Sequence, residues 1–298
     1  MRKQIFYNLI QFVRRLIKNV YLILAMNKKF RIGFITIISI VLICILVILM
    51  IPYDPSTVGR FKPNQPPSLS HILGTDSMGR DVFAQLCLGT LHSFIVALIV
   101  ATFGTIVGAF LGFISGYYGG ILDNYLIRIV IDTFVTIPML PVLILIASLI
   151  RAPNIWVLAG SLCIFSWAWP ARQVRSQTIS LKRRDFIYLA KLSGMNSMEI
   201  IVKEIMPHMV QWMVANYVNA VLWTFLTEAG VELLGLGPPT TITLGMIIYW
   251  AISYVAMLRG LWWWLFPPII MFIVIFISLY LMHLGLEEFL NPAKRLSK

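Results

Sequence analysis

Long apolar stretches alternate along this chain with short, polar, mostly basic breaks. Runs long enough to cross roughly 30 Å of hydrocarbon as a helix, about 20 residues each, occur at 32–52, 91–116, 125–150, 154–171, 209–234 and 262–284. They predict an all-α polytopic membrane protein with six transmembrane helices. A further apolar stretch, "ITLGMIIYWAISYVAML" (242–258), reads as a re-entrant or interfacial helix. A seventh span would carry the basic C-terminus to the opposite side from the other basic segments.

The polar breaks set the expected orientation. With the N-terminus inside, 19 of the 24 Lys and Arg residues fall in inner segments, chiefly 1–31 and 172–207. This bias places both termini in the cytoplasm. The net charge of +12 is thus assigned to topology and anionic lipid, and not to nucleic acid. Within 4–20, Leu9, Phe12, Val13, Leu16 and Val20 share one face, and Arg14, Arg15 and Lys18 another. That pattern predicts a basic amphipathic helix on the inner leaflet. The organisation expected is an N-terminal cytoplasmic helix (1–30), a first span (31–52), an external segment (53–90), a five-helix core (91–284) and a cytoplasmic tail (285–298).

Single residues inside the spans carry further expectations. Gly104, Gly108, Gly112 and Gly116 recur every fourth residue, a bare stripe against which a second helix can pack closely. Asp123 is placed to cap the next helix. Arg128 and Asp132 are spaced to pair at i,i+4. Asp132 in an apolar segment is either a functional group or half of an ion pair that fixes helix register. Pro138 and Pro141 should bend that helix. Glu228 reads as pore-lining or gating, and Glu232, one turn on, as lying at the water interface. The three cysteines, Cys44, Cys87 and Cys163, have no disulfide or metal spacing and read as small core residues. Asp76, Arg80 and Asp81 should stabilise a capped helix start.

Polar sequence between two apolar runs, "DFIYLAKLSGMNSMEIIVKEIMPH" (185–208), predicts two short helices at an angle. Asp185 would cap the first, Gly194 would end it in the left-handed C′ position, and Asn196 with Glu199 would form a capping box for the second. Met198, Ile201, Val202, Ile205 and Met206 form an apolar stripe, expected to be exposed for a partner. Pro207 marks entry into the next span.

This segment resembles the cytoplasmic EAA loop of ABC importer permeases: Ala190, Gly194, Ile205 and Pro207 match, while Tyr188 stands where the family has Glu. "LGTDSMGRDVFAQLCLGT" (73–90), "DNYLIRIVIDTFVTIPML" (123–140), "LTEAGVELLGLG" (226–237) and the closing "LNPAKRL" are similar to the dipeptide/oligopeptide/nickel-type permeases, in particular the second (C-type) of that system's two permease subunits. The resemblance implies a type I ABC importer permease fold with coupling helices. It also implies a homologous second permease subunit, two cytoplasmic ABC ATPases and an extracellular substrate-binding protein. On that basis Asp185, Tyr188, Ala190, Gly194, Met198, Glu199, Ile205 and Pro207 form the ATPase-coupling loop (172–207). Arg128, Asp132, Pro138, Glu228 and Trp250 are pore or gate candidates.

No catalytic residue, metal site or cofactor is expected. The sequence has no Gly-Lys and hence no phosphate loop, and neither H-E-x-x-H nor G-x-S-x-G. Energy would therefore come from partner ATPases. The alternative is an ion-coupled secondary transporter using Asp132 and Glu228; a membrane enzyme lacks its motifs. Oligopeptides, oligosaccharides and nickel all stay open as substrates, with Trp263 and Trp250 keeping a sugar in view.

Overall fold

Asn27 opens the first helix: its side-chain oxygen accepts from the Phe30 amide at 3.0 Å, and α1 then runs Lys28–Met50. The computed structural model describes residues 27–120, 123, 128–149 and 154–290. The amphipathic helix expected at 4–20 and the residues 291–298 of the tail lie outside the described residues. After α1 come α2 (Val82–Tyr118), α3 (Arg128–Thr136), α4 (Met139–Leu149), α5 (Ile155–Ser166), α6 (Ala168–Lys182), α7 (Asp185–Leu192) and α8 (Ser197–Ile200). A π-helical turn, Ile201–Ile205, leads into α9 (Met206–Val231). Then follow α10 (Leu244–Ser253) and α11 (Trp262–Leu290). Among the described residues the only β pairing is an isolated bridge between Thr75 and Asp81.

Three helices, α1, α2 and α11, are long and apolar enough to cross a membrane, and α3 with α4 makes a fourth if that bent pair is one span. The six expected spans are not all reached by this measure. The run at 154–171 is split at Trp167 between α5 and α6. The run at 209–234 falls in α9, whose apolar sequence is interrupted by Trp212, Asn216, Tyr217 and Asn219. As the prolines predict, the chain breaks at Ile137–Pro138, and α3 and α4 meet at 80°. The apolar stretch 242–258 yields only α10, ten residues, or roughly 15 Å. It is a short buried helix between the two ends of the chain's longest elements.

The glycine stripe is the seam of the bundle. A Cβ built on Gly104, Gly108, Gly112 or Gly116 would lie 2.6, 2.6, 2.7 or 2.8 Å from the carbonyl oxygen of Ser166, Trp167, Ala171 or Arg175 respectively. α2 and the α5–α6 run are therefore parallel and in backbone contact over about four turns, which only glycine permits. Beyond the stripe the seam is closed by charge. Arg175 Nε donates to Asp123 at 2.6 Å, Ser115 donates to the same carboxylate, and Lys182 donates to the Tyr117 carbonyl. Asp123, expected as a helix cap, is thus a buried clamp. The Arg175 guanidinium holds its carboxyl below the ordinary carboxylate value, against the opposing effect of burial.

At the other end of the bundle, residues 51–81 form a cap built on buried polar groups. Asp76 accepts from the amides of Met78 (2.9 Å) and Arg80 (2.8 Å), from Arg80 Nε (2.7 Å) and from Gln85 Nε2 (3.0 Å). Asp81 is the N-cap of α2, accepting from Ala84 at 2.9 Å, and its second oxygen meets His71 Nδ1 at 2.6 Å. The Arg80 guanidinium lies 4.2 Å over the Trp250 ring, a cation–π contact that joins cap to α10. α1 packs on the outside of this frame. Gly33 abuts the Ser278 carbonyl, Gly285 abuts Phe30, Lys29 pairs with Glu288, and the buried Cys44 and Cys87 side chains meet between α1 and α2. That thiol contact has no counterpart in the residue spacing.

Replacing Gly112 with Leu should force the seam apart, at about 1–3 kcal/mol for overpacking, read as a clear fall in Tm of the detergent-purified protein. Gly160→Ala, where an added Cβ meets nothing within 4 Å, should leave Tm unchanged or raise it. The Asp123 clamp predicts a pH signature. Its folded pKa is depressed, so its stabilisation is complete above the ordinary carboxylate value of 3.8 and fades as pH falls through the lower folded value. Asp123→Asn should therefore lower Tm by several degrees at about pH 7, and the gap to the parent should shrink towards about pH 3.

Candidate coupling site

The loop between α6 and α9 presents a shaped apolar face. In α7, Ile187 and Ala190 point inward and join Phe113, Val174, Ile200, Ile201 and Ile205 in one buried cluster. On the other face of the helix, Tyr188, Leu189 and Leu192 are 68%, 63% and 71% exposed. Asp185 occupies the first turn of α7, and the cap position belongs to Arg184, whose side chain makes no capping bond. This differs from the expected Asp185 cap; the carboxylate still faces the positive end of the helix dipole.

Gly194 ends α7 as the sequence predicts, with φ +79°. The Met195 amide donates to Ala190 (3.2 Å) and the Gly194 amide to Lys191 (3.0 Å), the paired bonds of a Schellman turn. Asn196 and Glu199 then form a full capping box, at 2.9 and 3.1 Å. Glu199 also accepts from Lys203 at 3.0 Å, which with the Asn196 amide holds its carboxyl below the ordinary range. Phe186 stacks on His208 at 4.7 Å, joining the start of α7 to the start of α9, where Pro207 stands exposed in the first turn.

The expected exposed stripe on the second helix is divided. Ile201 and Ile205 are buried, while Met198 and Val202 are exposed and Met206 is half-buried. The π-helical turn at Ile201–Ile205 keeps this segment continuous with α9; Ile201 and Ile205 join a cluster with α2 and α6, while Met198, Val202 and Met206 line a groove of about 380 Å³ beside α2. The free apolar face is instead Tyr188, Leu189 and Leu192 of α7 with Met198 and Val202 beside it. Lys191, Lys203 and Arg184 are exposed around this patch.

A second feature is a groove of about 470 Å³ between α2, α4, α5, α6 and α9. Phe165, Trp169 and Trp223 line it together with Asn219, Thr224 and Thr227. None of the five pore or gate candidates is among its lining residues. Arg128 and Asp132 sit near the Asp123 clamp, with Asp132 3.6 Å from Arg128 and 3.8 Å from Arg172. Pro138 forms the bend. The signal overlooked in the sequence was the set of neutral polar residues on one side of α9, each three to five positions from the next.

One expectation requires correction, and three further residues lie deeper than their positions suggested. Glu232 is fully buried, away from any water interface: Thr243 donates to it at 2.7 Å, and it lies where a Cβ on Gly245 would come within 2.4 Å of its Oε2, against the N-terminus of α10. Glu228 is equally buried and is not among the residues that line this groove. Trp250 and Trp263 are interior: the first lies under Arg80, and the second donates to the Thr75 carbonyl at 3.2 Å. Neither offers a face to a sugar. Among the described residues no group of three His, Cys, Asp or Glu side chains is arranged to hold a metal ion.

Comparison with known proteins bears on this arrangement. The oligopeptide transport system permease protein OppC of Mycobacterium tuberculosis (strain H37Rv) is 32% identical over 83% of this chain and 84% of its own length. The OppC proteins of Lactococcus lactis subsp. cremoris and Bacillus subtilis are each 30% identical over 72% of this chain, and 74% and 69% of theirs. Residues 104–295 match the family described as binding-protein-dependent transport system inner membrane component. That match takes in all four glycines of the seam, the bent helix, the α7–α8 loop and most of the groove; the chain belongs to this family of ABC importer permeases.

Proposed function

We propose that this chain is the pore-forming, C-type permease subunit of an ATP-driven importer of oligopeptides. The observation that carries the reading is α7: a short helix stopped by a Schellman turn, with three large apolar side chains facing outward and the opposite face packed into the bundle. A loop that merely joined two spans would not expose Tyr188, Leu189 and Leu192 together. Such a knob suits insertion into a cleft on a cytoplasmic ATPase, with surrounding Lys and Arg meeting acidic rim residues.

The remaining assignments follow from this one. Six spans result if α3–α4, α5–α6 and α9 each cross the membrane with α1, α2 and α11, and both termini then lie in the cytoplasm. The groove faces a homologous second permease, the two halves enclosing the path. An external binding protein delivers the peptide to the capped end, and two ATPases close on the coupling loops to switch access. Peptide is preferred over oligosaccharide because the curated relatives are named for oligopeptide transport and because Trp250 and Trp263 are enclosed. The ion-coupled alternative would need Asp132 and Glu228 on one route. Asp132 lies by the inner clamp, whereas Glu228 is 22 residues into α9, roughly 33 Å along the helix from its start.

The decisive measurement is peptide uptake and ATP hydrolysis by the importer reconstituted with its ATPases. Leu189→Asp should abolish ATPase co-purification, or cut uptake by about ten-fold or more, since a charge in an apolar interface costs at least about 1.4 kcal/mol. At Gly194 the space is open but the backbone is left-handed. Gly194→Asn should therefore retain uptake and Gly194→Val lose it. Uptake unchanged in both Leu189→Asp and Gly194→Val would rule out α7 as the docking element.

A further inference from the structure

α6 leads into the docking helix through only Arg183 and Arg184, and its two arginines one turn apart hold two acids from a single stretch of chain. Arg175 grips Asp123 with Nε at 2.6 Å and through its terminal nitrogen, Ser115 completing the site; Asp123 is buried and Arg175 nearly so. Arg172 reaches Asp132 at 3.8 Å, and Asp132 is also 3.6 Å from Arg128 on its own helix; all three side chains are about half exposed. Asp132 stands four residues before Thr136, the last residue of α3, and the chain turns through 80° just beyond it, at Ile137–Pro138.

The two contacts differ in kind. A buried bidentate pair with a third hydrogen bond is costly to break, so Asp123–Arg175 is a fixed pivot. A half-exposed pair at 3.8 Å contributes only about 0–1 kcal/mol. Arg128, on the same helix, steers the Asp132 carboxylate towards Arg172. We propose that Arg172 and Asp132 are positioning residues that make α3 follow α6, so that displacement of the docking helix by an ATPase is delivered to the Pro138 bend. This rests on the functional reading above. α6 is already one body with α2 through the glycine seam; Phe134 packs α3 on Phe165 and Trp167, and the Asp132 contact adds a charged link to α6 one turn before the bend.

The test is the number of peptides imported per ATP hydrolysed by the complete importer in proteoliposomes, with Tm measured alongside. Asp132→Asn and Arg172→Gln should keep ATPase activity and Tm near the parent's, while peptides per ATP fall by about five-fold or more, the lower end of ordinary coupling free energies. Asp132→Glu and Arg172→Lys, which preserve the charges, should restore the ratio. A parental ratio in Asp132→Asn overturns the transmission role and leaves the functional reading standing. Parallel loss of hydrolysis and uptake at a constant ratio also overturns it, because the pair would then be structural. A parent importer that moves peptide without hydrolysing ATP overturns the functional reading and this role with it.

Discussion

Backbone contact between α2 and the α5–α6 run is the constraint on which the other features depend. Four missing side chains bring carbonyl oxygens within van der Waals range of a neighbouring helix, and no larger residue fits without moving one of the two rods. In an environment where burying apolar surface provides little drive, such close approach supplies the dispersion and dipole contacts that hold helices together. It also fixes the height of α6 relative to α2. That height determines where Arg175 meets Asp123 and where Lys182 meets the Tyr117 carbonyl. Because α7 starts two residues after α6 ends, it determines the position of the docking face as well.

The opposite end is fixed by different physics. Asp76, Arg80, Asp81 and Gln85 are nearly fully buried, and each finds partners within the cap or on α2. Unpaired, such groups would cost several kcal/mol each. Together they turn a proline-rich connection into a rigid lid that sets the start of α2 and, through Arg80 over Trp250, the position of α10. The bundle is thus held by bare backbone contact towards the docking loop and by enclosed charge towards the cap.

Local chemistry was the legible part of the sequence. The glycine stripe, the proline break, the Gly194 stop and the Asn196–Glu199 box each depend on residues within a turn or two of one another, and each is found as read. What escaped depends on distant partners. Asp123 looked like a cap because Arg175, 52 positions away, was not in view. Glu232 looked solvated because nothing nearby in sequence shows Thr243 and the α10 N-terminus folding over it. The stripe from Met198 to Met206 looked free because the burial of Ile201 and Ile205 depends on α2 and α6. Trp250 and Trp263 looked open to a sugar, and only the packing of α10 and α11 on the cap shows them enclosed.

α1 offers only Phe30, Gly33 and Cys44 as buried residues, and it lies ahead of Gly104, where the match to the family description begins. Few of its side chains are enclosed, yet Gly33 lies against the Ser278 carbonyl, Gly285 against Phe30, and Lys29 is tied to Glu288. It is an outrigger lashed to α11 at set points, and the flank between the lashings stays open to lipid or to a neighbouring chain while the hull behind it keeps its dimensions.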